Sequence, residues 1–271
     1  MKPAAGLKKK EEAYMIANQF NPRRFYLLTR NTVWINASKI GVAAGMVAAL
    51  AILISGLSAF RQTGDHLHLG LYVFFLFVSG ILVSSNSFRN LREDTTAGAW
   101  LTLPASISEK FVSRLFLTSG GYVIATALIY FLISAVSEGI NQLLFNYSHP
   151  LFNPFSSWVG ISAAIYVVIQ SVFLTGSIYF RRFALVKTLF FLTLFCLALV
   201  LFFFLAVRVV MGGHMDTLTE HGLRIAWNMI ASDWLVQVKD TLVQITATIF
   251  WGLLAPFCWA ISFFRLKEFE A

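Results

Sequence analysis

Residues 85–114 read SNSFRNLREDTTAGAWLTLPASISEKFVSR, a polar, mixed-charge segment between two long apolar runs. Pro104 interrupts this segment, because its ring disfavours helical geometry at the residue before it. Ser106 and Glu109 then have the spacing of a capping box, in which the Ser hydroxyl accepts from a free amide and the Glu side chain reaches back. The segment therefore predicts a short helix, a corner, and a second helix that begins at Ser106 and continues into the next apolar run.

The apolar runs on either side belong to a set of six, each close to the ~20 residues that a helix needs to cross a bilayer. They lie at about 40–60, 68–87, 112–136, 158–180, 185–207 and 241–264. Only 13% of the 271 residues are charged, against about 25% in a soluble domain. The sequence therefore predicts an all-α integral membrane protein, with one six-helix transmembrane domain at 40–264 between the tails 1–39 and 265–271.

Lys and Arg residues are distributed unevenly between the two sides of these predicted spans. With the N-terminus inside, 17 of the 21 Lys and Arg residues lie on the cytoplasmic side. Basic residues gather in cytoplasmic segments of membrane proteins, so both termini are predicted to be cytoplasmic. The net charge of +8 is thereby assigned to membrane topology, and no nucleic-acid partner is predicted.

Two segments outside the spans carry helical patterns of their own. Asn21 and Pro22 predict a helix start, and the helix is expected to continue through Lys39 as an interfacial helix or a plain basic juxtamembrane segment. The predicted outer loop 208–240 contains a stretch that is too short to span and too apolar for a free loop. A short helix at the outer face is expected there.

Within the spans, the small residues and one proline make further predictions. Gly41 and Gly45 form a small-xxx-small pattern that suits close contact between helices, although the same spacing arises by chance in an Ala-rich helix. Pro256 is expected to kink the sixth span. Cys196 and Cys258 both fall inside apolar runs, so no disulfide framework is predicted.

The pattern F-x-x-L-R-E-D-x-x-x-G-x-W-L-x-L-P-A-S-x-x-E-K-x-x-x-R, from Phe88 to Arg114, resembles the loop between the second and third spans of ABC-2-type transporter permeases. In that family this loop is the coupling element that docks into a groove on a separate cytoplasmic ATPase subunit. The resemblance implies a coupling role for Arg89, Arg92, Glu93, Asp94, Trp100, Leu103, Pro104, Ser106, Glu109 and Lys110.

The resemblance also implies the rest of the assembly. A permease of this type pairs with a second permease, as a homodimer or with a sister chain, and with two ATPase subunits in a bacterial inner membrane. ATP and Mg would be bound by the ATPase, with no cofactor in this chain, which would not be an enzyme by itself. Export is favoured over import, and the spans select no cargo among peptides, lipid-linked glycans, drugs and haem.

The sequence lacks two features that a transporter with its own energy source would need, which favours an energy source on another chain. The predicted span interiors contain no Asp, Glu, Lys or Arg, the groups that proton relays and ion pumps place at membrane depth. The sequence also lacks the G-x-x-x-x-G-K-[ST] loop that cradles ATP phosphates. The alternatives are a stand-alone polytopic scaffold or complex subunit without transport and, third, a lipid-modifying enzyme, although no paired carboxylates or activated nucleophile are evident.

Histidines and acidic residues occur together in two predicted outer loops. Neutral imidazole and carboxylate groups suit zinc, but neither group has the spacing of a known zinc motif. These residues are therefore interpreted as solvated loop side chains, and no metal site is predicted. They are Asp65, His66 and His68 in one loop, and His214, Asp216, Glu220 and His221 in the other.

Overall fold

The computed structural model describes residues 20–62, 67–89, 105–180, 182–211 and 247–270, together with Gly98 and Gln244. Over these residues the regular structure is entirely helical. A five-residue π-helical turn at Ile249–Leu253 precedes the last helix. The helices are α1 Pro22–Ile35, α2 Ala37–Phe60, α3 Leu67–Ser85, α4 Ile107–Thr118, α5 Gly120–Phe145, α6 Ser157–Tyr179, α7 Ala184–Met211 and α8 Leu254–Glu270.

Six helical segments in the described part of the chain are long and apolar enough to cross a membrane. They are α2, α3, α4 together with α5, α6, the first 19 residues of α7, and the π turn together with α8. Their positions match the six predicted runs, so the prediction of an all-α, multi-pass membrane protein is confirmed.

The predicted helix start at Asn21 is confirmed. The Asn21 side chain accepts from the Arg23 amide at 3.0 Å, and Pro22 occupies the first helical position. The predicted end at Lys39 is wrong, because α1 stops at Ile35 and the first span already begins at Ala37.

Two other helices run further than predicted. The span predicted at 112–136 continues beyond its predicted end, because α5 extends to Phe145 and ends at Asn146 in the left-handed conformation common after helix ends. Arg208, predicted in an outer loop, lies on α7, which continues to Met211. Residues 212–240, with the predicted short outer helix, lie outside the described residues.

The helices pack in pairs around α6, which contacts α3, α7 and α8, while α2 packs on α5 and α1 packs on α4. Two apolar cores result, one towards each end of the bundle. The first contains Tyr72, Leu76, Tyr130, Phe152 and Tyr166. The second contains Phe88, Phe111, Leu174, Ile178 and Leu266. We call the end with the second core the basic end, because it includes Lys110, Arg182 and Lys267.

The span formed by α4 and α5 is interrupted at Ser119. Polar side chains of α6 form hydrogen bonds with Thr118 at this break. The Tyr166 hydroxyl donates to the Thr118 carbonyl oxygen at 2.8 Å. The Gln170 amide donates to the Thr118 hydroxyl, also at 2.8 Å. Side-chain hydrogen bonds between helices are a common means of satisfying backbone groups where no water is present.

Close helix contacts occur at glycines other than the two in the predicted motif. A Cβ atom on Gly80 would lie 2.2 Å from the Tyr166 ring, and one on Gly176 would lie 1.9 Å from the Thr188 hydroxyl. The α3–α6 and α6–α7 pairs therefore depend on these glycines. At Gly41 and Gly45 an added Cβ would have no neighbour within 4 Å, so the close helix contact at this motif stays a prediction.

Pro256 lies in the first turn of α8, directly after the π-helical turn. Proline has no amide hydrogen and its ring crowds the preceding turn. Local widening of this kind is one way in which a helix accommodates such a residue. The predicted disturbance of the sixth span thus takes the form of a π turn at Ile249–Leu253.

Candidate functional site

Only some of the predicted coupling residues lie within the described part of the chain. Of those that are described, Arg89 is exposed, while Ser106, Glu109 and Lys110 are buried at the basic end. The remaining six lie outside the described residues: Arg92, Glu93, Asp94, Trp100, Leu103 and Pro104.

The capping box at the start of α4 is confirmed. The Ser106 hydroxyl accepts from the Glu109 amide at 3.3 Å, and Glu109 Oε2 accepts from the Ser106 amide at 2.9 Å. Both exchanges satisfy amides that have no partner inside the helix. The helix therefore has a fixed start within the predicted coupling segment.

Glu109 also joins α4 to α1, which the sequence did not predict. Its Oε1 atom accepts from the Asn21 amide at 2.6 Å, although the two residues are 88 positions apart. Arg24 lies beside the same oxygen, with its Nε atom 3.4 Å away. The rings of Phe25 and Phe116 meet edge to face at 6.1 Å and close the contact between the helices. One fully buried carboxylate thus fixes both helix starts.

An open groove of about 480 Å³ lies beside this contact. Its lining combines two guanidinium groups, apolar side chains and Trp34, which is 78% exposed. Arg and aromatic side chains are enriched in protein interfaces. The full lining is Arg24, Leu27, Leu28, Arg30, Asn31, Trp34 and Ala105.

A second buried glutamate lies at the opposite end of the bundle. Glu138 Oε1 accepts from the Ser55 hydroxyl at 2.8 Å and from the Asn141 amide at 3.1 Å, and lies 2.6 Å from His68 Nε2. Glu138 Oε2 accepts from the His149 backbone amide at 2.5 Å. We call these five residues the Glu138 cluster. It joins α2, α3, α5 and the connection that follows α5.

Two sequence interpretations are corrected by this cluster. His68, interpreted as a solvated loop side chain, is only 3% exposed and contacts a buried carboxylate. Glu138, which follows the span predicted at 112–136, is on α5, so the helix of this span carries a carboxylate near the end away from the basic end. The missed signal was local: Leu143, Leu144 and Phe145 continue the apolar pattern beyond Glu138.

The fold, the contacts of Glu109 and the Glu138 cluster define the class: an all-helical, multi-pass membrane protein in which buried glutamates connect helices near their ends. No protein-family model matches the sequence, and no curated protein or solved structure shows a significant match. The function is therefore argued from the residues of this chain.

Proposed function

We propose that this chain is the permease subunit of an ATP-driven exporter of the ABC-2 type, with its ATPase on a separate chain. The observation that carries the proposal is the position of the coupling-like pattern. The pattern includes the capping box at the start of α4, where Glu109 also holds the start of α1. A protein docked on residues 85–104 would therefore act directly on a fixed helix start.

The packing of α4 indicates how a movement of the coupling segment would be transmitted to other helices. Glu109 connects the first turn of α4 to Asn21 and Arg24. On the same turn, Phe111 meets Phe263 of α8 at a ring separation of 5.7 Å. Displacement of the coupling segment would thus move α1, α4 and α8 together. In the proposed mechanism, ATP-driven closure of two ATPase subunits moves these segments and switches the spans between inward- and outward-facing arrangements.

The exposed apolar helices support a second permease subunit and a lipid environment. In the apolar 18-residue windows of α2 and α7, the described part of the chain buries only 11% and 6% of the residues. Both helices therefore need lipid or another membrane chain around them. In the proposed assembly the basic end faces the cytoplasm of a bacterium, because basic residues gather on that side of the inner membrane.

Co-purification tests the proposal. The chain is affinity-tagged in its native host and extracted in mild detergent, and an ATPase subunit of about 25–35 kDa is expected with it. Trp100→Ala is expected to release this ATPase or to uncouple ATP hydrolysis from transport. The expected loss is about 2–4 kcal/mol in binding, since one aromatic residue often dominates an interface.

Trp158→Ala is the matched control, because Trp158 is an exposed tryptophan in the first turn of α6, at the end of the bundle away from the basic end. It is expected to retain the ATPase. A wild-type chain that purifies without any ATPase would favour the stand-alone scaffold. Equal ATPase retention by the two tryptophan variants would contradict the assignment of the coupling segment.

A further inference from the structure

Three side chains that can each offer one atom to a metal ion converge in the Glu138 cluster. His68, Glu138 and His149 come from α3, from α5 and from the connection after α5, and all three are buried. One ligand atom from each lies within 4.8 Å of the other two. Because two imidazoles and a carboxylate are typical zinc ligands, we propose that these residues bind a zinc-class divalent cation. The proposal stands independently of the transporter function and replaces the sequence-based expectation of no metal site.

The separation of one pair of donor atoms already matches that of a tetrahedral site. Two donors that are each about 2.0–2.1 Å from a tetrahedral zinc lie about 3.3–3.4 Å from one another. His149 Nδ1 is 3.4 Å from Glu138 Oε1 and already has this separation. His68 Nε2 is 2.6 Å from the same oxygen, which is a hydrogen-bond distance. Binding therefore requires a small rotation of the His68 ring away from the carboxylate.

The hydrogen bonds of His68 show what the cation would replace. In the metal-free arrangement the His68 Nε2–H group donates to the Glu138 carboxylate, and Nδ1 lies 3.3 Å from the Tyr130 hydroxyl. A cation at Nε2 takes the place of that proton, and the proton then resides on Nδ1 and donates to the Tyr130 oxygen. Outer partners of this kind orient metal-bound histidines and fix their tautomer.

The carboxylate is held in place by groups that do not compete for the ion. The Ser55 hydroxyl and the Asn141 amide donate to Glu138 Oε1, and the His149 backbone amide donates to Oε2. These donors come from α2, from α5 and from the following connection. The carboxylate is thus oriented before an ion arrives.

The ligand types select the class of cation. Calcium takes six to eight oxygen ligands and magnesium keeps an octahedral oxygen shell, whereas two of the three donors here are imidazole nitrogens. Zinc accepts this set in a four-coordinate arrangement. Three protein ligands leave a fourth position for water or a solute. The bound ion would fasten the connection after α5 to α3.

The test uses the full chain in detergent, stripped with a chelator and then titrated with zinc chloride. Titration calorimetry and metal analysis are expected to give one zinc per chain. Cobalt chloride is expected to give the visible absorption of a tetrahedral N/O site. His149→Ala is expected to reduce affinity by more than the ~10–100-fold that outer partners control. Tyr130→Phe keeps all three ligands and is expected to lose about tenfold.

The double variant His214→Ala/His221→Ala is the control, because it removes the same type of side chain outside the described residues. It is expected to bind zinc like the wild type. The size-exclusion profile and helical circular dichroism establish that each variant is folded. A folded wild-type chain without stoichiometric zinc would overturn the proposal. So would His149→Ala with unchanged affinity, or loss of binding in the double variant.

Discussion

Glu109 and Glu138 are both buried carboxylates that join distant helices, yet their surroundings differ. Glu109 accepts from the backbone amides of Ser106 and Asn21 and lies beside Arg24, a permanent cation. Glu138 accepts from side chains and one amide, and among the described residues it lies within ion-pair distance of His68 and His149. Glu109, at the basic end, holds two helix starts, whereas the partners of Glu138 include side chains that can also bind a metal ion.

This difference indicates two uses of the same side chain. A carboxylate that completes a capping box and neutralises a guanidinium group is not part of a set of metal ligands. Its role is to hold the two helix starts together. A carboxylate among imidazoles keeps chemical capacity, because neutral imidazole binds both protons and metal ions. We therefore expect substitutions at the two ends to differ in size and in their response to zinc.

The largest effect is expected for Glu138→Ala. The substitution leaves His68, Ser55 and the His149 amide without their shared acceptor in a buried site. Removing one partner from such a network costs about 3–5 kcal/mol in the free energy of unfolding. Glu138→Gln keeps an acceptor oxygen and is expected to lose less. Unfolding in detergent, with and without zinc, measures both variants, and a Glu138→Ala chain as stable as the wild type would show that the cluster does not stabilise this end.

Gly80→Ala tests whether the middle of the bundle connects the two ends rigidly. The added methyl group would overlap the Tyr166 ring. The hydroxyl of the same residue donates to the Thr118 carbonyl at the break between α4 and α5. Overpacking of this kind costs about 1–3 kcal/mol, and the upper part of this range is expected here. Gly41→Ala is the matched control, since its added methyl group has no neighbour within 4 Å. Equal melting temperatures for the two variants would contradict the α3–α6 contact.

A smaller effect is expected for Glu109→Ala. The variant loses the capping box, at about 1 kcal/mol, and the acceptor of the Asn21 amide, at about another 1 kcal/mol. The total of about 2 kcal/mol exceeds the loss in Ser106→Ala, which removes the cap alone. Zinc is expected to leave the difference unchanged, because the site is at the other end. Equal unfolding free energies for the two variants would mean that the contact between α1 and α4 contributes nothing.

The sequence predicted features that depend on neighbouring residues. The Ser106–Glu109 box, the Asn21 cap and the six spans follow from spacing and hydropathy over short windows. Contacts between distant residues were missed. Glu109 meets Asn21 across 88 positions and Glu138 meets His68 across 70, and each contact depends on which helix faces meet. The same reason explains why Gly80, with no motif around it, is closely packed while the Gly41–Gly45 pattern is open.

The length of the span formed by α4 and α5 has a consequence for the two carboxylates. Its 39 residues would extend for about 58 Å at 1.5 Å per residue, roughly twice the ~30 Å thickness of the hydrocarbon layer. Glu109 and Glu138 are about eight turns apart, or about 43 Å along straight helices, close to the ~40–45 Å between the outer limits of the headgroup regions. The hydrocarbon layer therefore fits between the two glutamates, and each can lie at the depth of the headgroup region of its own leaflet. A thicker bilayer would draw one of them into the acyl chains.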